Sequence, residues 1–85
     1  MHTVYVLQSS IDNNLYIGCT SDINKRLGYH NKGKVKSTKS RRPLKLIYKE
    51  DYDNIYEAFR VERYYKTPKG KSELKKKITA LSSNG

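Results

Sequence analysis

Two short apolar segments near the start of the chain predict a β-hairpin. Residues 4–7, Val-Tyr-Val-Leu, are β-branched, aromatic and aliphatic, which is typical of a strand buried on both faces. Residues 15–18, Leu-Tyr-Ile-Gly, predict a second strand. The polar stretch 9–14 between them has the composition of a turn. The chain therefore begins with two strands that pair directly.

One helix-capping pattern and a third apolar run follow the hairpin. Ser21 or Asp22 can cap a helix that continues to His30, and a polar, basic loop follows over 31–43. Residues 44–50 contain Leu-Ile-Tyr and predict a third strand. The order so far is strand, strand, helix, strand.

Two more helices complete the predicted order ββαβαα. Asn54 and Glu57 have the spacing of a capping box, which predicts a helix from Asn54 to about Lys66. Thr-Pro-Lys-Gly at 67–70 should end it, and a last helix should run from about Ser72 to Leu81. We expect an α+β fold, with helices packed on a short antiparallel sheet, as a single domain over residues 1–81 and a frayed tail over 82–85.

Polar residues fall on the apolar faces of two predicted helices. At about 100° per residue, Arg26 and His30 share the face of the first helix that carries Ile23 and Leu27. A charge drawn toward a core is costly unless a partner satisfies it. The same face therefore carries both core residues and candidate site residues.

The second predicted helix shows the same feature. Glu62 falls within an apolar stripe that contains Ile55, Ala58 and Phe59, and Lys66 lies four residues later as its natural partner. Each of these polar residues also has an ordinary alternative, because a Glu–Lys pair at this spacing can simply face the solvent.

The hairpin brings two tyrosines to one side of the sheet. If the turn is centred between Ser10 and Ile11, Tyr5 lies directly opposite Tyr16. Two phenols, the guanidinium, the imidazole and the carboxylate then converge on one sheet face, provided that both helices pack on that face. Taken alone, both tyrosines could equally be core aromatics.

The charge balance favours a polyanionic partner. The chain carries 18 Lys and Arg against eight Asp and Glu, a formal net charge of +10, which favours nucleic acid. No run of ~18 apolar residues and no signal-peptide pattern occur, so we expect no membrane contact. Cys19 is the single cysteine, which excludes a disulfide framework and fits a reducing cytoplasm.

Basic residues form two runs along the chain, one over 32–49 and one over 60–77. Runs of this kind suit a phosphate backbone, and no base-reading motif is evident. We expect the nucleic-acid backbone to be contacted by Lys32, Lys34, Lys36, Lys39, Arg41, Arg42, Arg63 and Lys66.

The order of these features resembles the motifs of the GIY-YIG nuclease superfamily, in particular its small stand-alone bacterial members. The resemblance covers roughly residues 3–79. It is carried, in order, by Val4-Tyr5-Val6, Tyr16-Ile17-Gly18, the segment from Asp22 to Leu27, the segment from His30 to Gly33, the segment from Pro43 to Tyr48, and Glu57-Ala58 with Glu62 and Lys66.

The resemblance implies a central three-stranded antiparallel sheet and divalent-metal-dependent phosphodiester cleavage. It makes Tyr5 and Tyr16 the active-site phenols and Arg26 the group that neutralises the scissile phosphate. It implies that Glu62 holds one divalent cation, Mg²⁺ or Mn²⁺, weakly without substrate. His30 matches a position where many members have histidine. Either Tyr16 or His30 could deprotonate the attacking water.

These observations predict a cytoplasmic metal-dependent endonuclease, acting on DNA rather than RNA and selective for branched or damaged structures in repair or recombination. We expect a monomer or a weak homodimer. The alternative is a catalytically impaired nucleic-acid-binding module, since the first motif keeps Tyr5 but lacks its glycine and the only late asparagine is Asn84. A third possibility is a subunit that requires a protein partner.

Overall fold

The computed structural model of the protein describes residues 1–82, which form one three-stranded sheet and three α-helices. The predicted α+β class and the order ββαβαα are confirmed. The predicted frayed tail lies outside the described residues, except for Ser82 at the end of the last helix. The elements are β1 (His2–Ser9), β2 (Leu15–Thr20), α1 (Ile23–Asn31), a 3₁₀ turn (Lys39–Arg41), β3 (Leu44–Tyr52), α2 (Ile55–Tyr65) and α3 (Pro68–Ser82).

Strand β1 is the centre of the sheet, in the order β2-β1-β3, and both neighbours run antiparallel to it. Its two faces have different partners. Val4 and Val6 pack in a core with Ala58 and Tyr65 of α2, whereas Tyr5 packs on the other side in a cluster that includes residues of α1. Helices α1 and α2 therefore lie on opposite faces, so the condition that both pack on one face is not met.

The hairpin register differs from the predicted one by two positions. Tyr5 lies opposite Gly18, and Leu7 lies opposite Tyr16. The turn is centred one residue later than expected, and Asn13 within it adopts φ 60°, a left-handed conformation that asparagine tolerates. Because side chains alternate with a period of two, a shift of two keeps Tyr5 and Tyr16 on the same face, now as diagonal neighbours.

Helix α2 is rotated about its axis relative to the predicted arrangement. Its buried side chains are Ala58 and Tyr65, with Val61 partly buried between them, whereas Phe59 is 43% exposed. These three inward residues are spaced three and four apart and form one stripe. Glu62 therefore lies beside the buried stripe and not within it.

Helix α3 begins four residues earlier than predicted. The Thr67 hydroxyl accepts a hydrogen bond from the backbone N–H of Gly70 at 3.0 Å, and Pro68 occupies the first helical position, where proline is favoured. A Cβ atom at Gly70 would lie 2.5 Å from the carbonyl carbon of Tyr64. Proline and glycine here start a new helix packed tightly against the previous one.

A half-buried carboxylate fastens α2 and α3 to the sheet. Glu50 of β3 accepts hydrogen bonds from the phenols of Tyr48 (2.5 Å), Tyr52 (2.7 Å) and Tyr65 (2.9 Å), and from the ammonium of Lys77 (3.2 Å). Burial acts to raise the pKa of Glu50, but these hydrogen bonds outweigh it and hold that pKa below its usual range. Burial and the bond to Glu50 raise the pKa of Tyr48 to about 12.

The hydrogen bonds around Glu50 predict a loss of stability at alkaline pH. Since the pKa of Tyr48 rises from 10.0 to about 12 on folding, the unfolded chain releases the phenol proton first. The stabilisation is complete below about pH 10 and is lost as the pH rises toward 12. Urea unfolding between pH 8 and 11 should show a falling free energy of unfolding, and Tyr48→Phe should reduce that slope. Equal slopes would contradict this assignment.

Candidate active site

Four of the five predicted site residues meet on the α1 face of the sheet. Nε of Arg26 donates to the Tyr5 hydroxyl oxygen at 3.3 Å, and that oxygen lies 3.1 Å from Nε2 of His30. The rings of Tyr16 and His30 are 4.9 Å apart in an edge-to-face arrangement, and those of Tyr5 and Tyr16 are 6.4 Å apart. Two phenols, a guanidinium and an imidazole thus form one contact cluster.

The start of α1 decides which side chains face the sheet. The carboxylate of Asp22 accepts a hydrogen bond from the backbone N–H of Lys25 at 3.1 Å and so caps the helix. Arg26 and His30, one turn apart, then point to the same side. The predicted shared face of these two residues is what the structure shows.

Gly18 gives Tyr5 the room to reach this cluster. Tyr5 crosses the backbone of the neighbouring strand, and a Cβ atom at Gly18 would lie 2.5 Å from Cζ of Tyr5. Real Cβ atoms do not approach other atoms so closely, so any side chain at this position would displace the ring. The glycine of the Tyr-Ile-Gly motif is therefore a packing requirement of the other motif's tyrosine.

Burial and charge set the protonation states within the cluster. Burial raises the pKa of Tyr5, whose side chain is 1% exposed, so it remains a neutral phenol. Burial, with the nearby charge of Arg26, lowers the pKa of His30, which is 0% exposed and stays neutral. The bond to Tyr5 raises the pKa of Arg26, and Tyr16 adds to that effect. Arg26 is the single fixed charge of these four groups.

Glu62 lies on α2, the helix that packs on the face of the sheet opposite α1. Its carboxylate lies 3.3 Å from the ammonium of Lys66, which confirms the predicted pairing of these two residues. Burial is the main cause that raises the pKa of Tyr5, and the charge of Glu62 adds to it. Burial and then Glu62 also raise the pKa of Cys19 on edge strand β2. The charge of Glu62 therefore acts on Tyr5 of the cluster and on Cys19.

The donor set suits a weakly held hard cation. Within residues 1–82, no group of three or more His, Cys, Asp or Glu side chains is placed to hold a metal ion. Glu62 is a single carboxylate whose partner Lys66 is half-exposed, so the pair can exchange with other ligands at little cost. A lone carboxylate fits an ion that keeps most of its water, as Mg²⁺ does.

The predicted nucleic-acid-binding residues differ in their surroundings. Arg41 is partly buried, and its Nε lies 3.6 Å from the Asp12 carboxylate, so it is engaged in the fold. Nε of Arg42 donates to the Lys39 carbonyl at 2.8 Å, while its side chain stays exposed. The other predicted residues are exposed: Lys32, Lys34, Lys36, Lys39, Arg63 and Lys66.

The sequence did not reveal one residue that touches the cluster. Thr38 is 0% exposed, and its hydroxyl lies 2.8 Å from Nδ1 of His30. It belongs to the stretch 31–43, where no apolar periodicity marks inward positions. Only the folding of this loop against α1 distinguishes it from the exposed Ser37 beside it.

Comparisons with known proteins identify the family to which this chain belongs. Residues 1–77 match the family model described as the GIY-YIG catalytic domain. The chain is 42% identical over 72 residues to UPF0213 protein SAG0778 of Streptococcus agalactiae, covering 84% of this chain and 81% of that protein. It is 41% identical over 75 residues to UPF0213 protein SH2523 of Staphylococcus haemolyticus, covering 87% and 90% respectively.

A solved structure has a similar fold. The solution NMR structure of the UPF0213 protein BH0048 from Bacillus halodurans is 33% identical to this chain, with a TM-score of 0.54. The match covers 86% of this chain and 80% of that one. Among the described residues, no helix is long and apolar enough to cross a membrane.

Proposed function

This chain belongs to the GIY-YIG family, and from that premise we propose that it is a metal-dependent endonuclease that hydrolyses phosphodiester bonds in DNA. The observation that carries the proposal is the placement of the Arg26 cation beside two phenols, with a carboxylate nearby. Phosphodiester hydrolysis needs positive charge at the phosphoryl oxygens and a group that takes a proton from water. Both groups are present in this cluster.

Arg26 is the group that binds the scissile phosphate. Its guanidinium is only half-buried, whereas the Tyr5 and His30 behind it are 1% and 0% exposed. A guanidinium presents several N–H donors that match two phosphate oxygens at once. Nε donates to Tyr5, and Tyr16 is a second neighbour of the guanidinium. The buried pair therefore orients Arg26 and does not touch the substrate itself.

Exposure distinguishes the two candidate bases. A direct base must reach the attacking water, and His30 is fully buried, whereas Tyr16 is half-buried and lies beside Arg26. We assign the proton transfer to the Tyr16 oxygen, which neighbours the Arg26 guanidinium. The water oxygen attacks phosphorus and its proton passes to the Tyr16 oxygen. The bond between phosphorus and the leaving oxygen breaks, and that oxygen takes a proton from solvent.

Glu62 is the residue that would hold the divalent cation, Mg²⁺ or Mn²⁺. When bound, such an ion supplies positive charge at the phosphate oxygens. Because Glu62 is one carboxylate, the remaining ligands would be water and substrate, and affinity without DNA should be low.

The positive charge of the chain supports recognition of a nucleic acid through its phosphate backbone. A net charge of +10 and the exposed basic residues of the loop after α1 favour phosphate contacts without base recognition. We propose structure-selective cleavage of branched or damaged DNA, as in repair or recombination. We propose that the protein acts as a monomer or a weak homodimer. We also propose that it acts in the cytoplasm, where the Cys19 thiol stays reduced.

Removal of the Glu62 charge should abolish metal-dependent cleavage. We expect Glu62→Gln to lower the cleavage rate of branched and nicked DNA in Mg²⁺ or Mn²⁺ by about 100-fold or more, since a bound ion contributes several kcal/mol to catalysis. Glu57→Gln, at an exposed position on the same helix, is the matched control and should retain the wild-type rate. Gel-based single-turnover assays with and without EDTA measure both rates.

The binding behaviour of the same variants separates the two candidate functions. Fluorescence anisotropy should show that Glu62→Gln still binds DNA, because only one acidic group is lost. Binding by the wild type without any metal-dependent cleavage would overturn the nuclease proposal. That result would instead support the catalytically impaired nucleic-acid-binding module.

A further inference from the structure

The buried side of the cluster contains a hydrogen-bonded chain that extends beyond Tyr5. His30 has one ring nitrogen toward Tyr5, with Nε2 3.1 Å from the phenol oxygen. Its other nitrogen, Nδ1, lies 2.8 Å from the hydroxyl of Thr38. Both His30 and Thr38 are 0% exposed, so water does not substitute for either contact. The imidazole therefore takes its protonation pattern from these two neighbours.

One tautomer of His30 satisfies every hydrogen in this chain. If the ring hydrogen is on Nδ1, it is donated to the Thr38 oxygen, and the Thr38 hydroxyl hydrogen can point to the Val35 carbonyl at 3.4 Å. Nε2 then accepts the hydrogen of the Tyr5 hydroxyl. The Tyr5 oxygen keeps a lone pair for the N–H of Arg26 at 3.3 Å. Each donor has an acceptor.

The other tautomer leaves a buried donor without a partner. With the hydrogen on Nε2, His30 and Arg26 would both donate to the Tyr5 oxygen. The Tyr5 hydroxyl hydrogen would then need an acceptor beyond His30, and Tyr5 is only 1% exposed. An unpaired buried donor costs about 1–3 kcal/mol, which favours the Nδ1–H form.

The loop after α1 holds Thr38 in place. Its backbone N–H donates to the Val35 carbonyl at 3.1 Å, and its own carbonyl accepts from the backbone N–H of Arg41 at 2.9 Å. These bonds form the turn that leads into the 3₁₀ segment, where Thr38 is the first flanking residue. The hydroxyl is therefore fixed by the backbone on both sides.

We propose that Thr38 is a positioning residue that holds His30 in the Nδ1–H tautomer, so that Nε2 accepts a hydrogen bond from the Tyr5 hydroxyl and Tyr5 in turn orients Arg26. The effect on cleavage rests on the proposed nuclease function, whereas the tautomer itself does not. Thr38 touches neither substrate nor cation. It acts through a chain of three hydrogen bonds that ends at the phosphate-binding guanidinium.

The tautomer can be measured directly on the protein without DNA or metal. In ¹⁵N-labelled protein at about pH 8, above the ordinary histidine pKa of about 6.5, the nitrogen that carries hydrogen and the bare nitrogen give well-separated resonances. His2 is the other histidine of the chain, and a His2→Gln variant assigns the signals. We expect the wild-type His30 signals to show hydrogen on Nδ1. Hydrogen on Nε2 would overturn the proposal, whatever the enzyme activity.

Substitutions at Thr38 test whether the hydroxyl causes this preference. Thr38→Val removes the hydroxyl at similar volume and should shift His30 toward the Nε2–H form, whereas Thr38→Ser should keep the wild-type pattern. Ser37→Ala, which removes the neighbouring exposed hydroxyl, is the matched control. An unchanged tautomer in folded Thr38→Val would contradict the assignment. If that variant does not fold, the wild-type spectrum still tests the tautomer, and Thr38→Ala tests the removal of the hydroxyl in its place.

Cleavage provides the second readout. Thr38→Val should lower the single-turnover cleavage rate by about 10–100-fold, the range seen when a supporting hydrogen bond behind a functional group is lost. Thr38→Ser should restore most of it. A tautomer shift in a protein that never cleaves DNA would overturn the nuclease proposal and leave the role of Thr38 standing. A shift without any rate change in an active enzyme would overturn the positioning role.

Discussion

Replacement of Arg26 by alanine is expected to lower the rate of DNA cleavage by about 1,000-fold, because the cluster then has no positive charge at the phosphate. Arg26 is the only one of the four clustered side chains that carries a fixed charge, and Tyr5 and His30 are neutral. Single-turnover rates at saturating protein isolate this chemical effect from binding. Urea unfolding should change little, since the side chain is half-exposed.

Two further variants make the result specific to the geometry of the guanidinium. Lys25→Ala removes one exposed positive charge from the adjacent position of α1 and should leave the cleavage rate almost unchanged. Arg26→Lys keeps the charge but loses the fork of donors, so it should recover little activity. If Lys25→Ala and Arg26→Ala reduced cleavage equally, Arg26 would be a general electrostatic contact and not the phosphate ligand.

Gly18→Ala is expected to damage both the fold and the site. The added Cβ would lie 2.5 Å from Cζ of Tyr5, and the ring is buried and hydrogen-bonded to His30 and Arg26. The ring can give way only by breaking these bonds. We expect a loss of about 1–3 kcal/mol in the free energy of unfolding. The cleavage rate should fall by about 100-fold, as expected when a supporting group moves by about 1 Å.

The chain offers a matched control for this substitution. Gly28 lies in α1, and a Cβ atom added there has no neighbour within 4 Å. Gly28→Ala should therefore raise stability by about 0.5–1 kcal/mol, because alanine costs less backbone entropy in a helix. Chemical denaturation of both variants compares the two glycines directly. Equal stabilities for the two variants would show that the tyrosine does not need the space above Gly18.

One contact explains both the tyrosine in β1 and the glycine in β2. Tyr5 in β1 must cross β2 to reach α1, and Gly18 is the residue it crosses. The chain keeps this tyrosine although its first motif reads Val-Tyr-Val. The first motif therefore has no glycine. The contact between Tyr5 and strand β2 requires only Gly18, which belongs to the second motif. The departure from the family pattern therefore leaves the cluster geometrically intact.

Local rules predicted most of the secondary structure. Asn54 is the N-cap that the sequence predicted, and Asp22 is one of the two caps predicted for α1, because a capping side chain bonds only to backbone one turn away. The three apolar runs form strands, as their β-branched and aromatic residues predict. The error at α3 is also local, since Pro68 at the first turn can start a helix as well as end one.

The site was partly predictable from the sequence. Arg26 and His30 share a face because they are four residues apart on one helix, and Tyr5 and Tyr16 share a face because strand side chains alternate. The convergence of all five groups on one face required both helices to pack there, and α2 instead packs against Val4 and Val6 on the other side. The hydrophobic periodicity of a helix does not determine which face of the sheet the helix covers.

The sequence by itself determined the elements, the family and the excess of positive charge. It also determined that Tyr5 and Tyr16 lie on the same face of the sheet, because side chains alternate along a strand. Those properties depend on neighbours within a few residues, or on simple sums along the chain. Only the tertiary structure decided the hairpin register, the opposite faces of α1 and α2, the space that Gly18 leaves for Tyr5, and the contact between Thr38 and His30. Each of these depends on atoms brought together from distant parts of the chain, and packing alone selects among the arrangements that local rules allow.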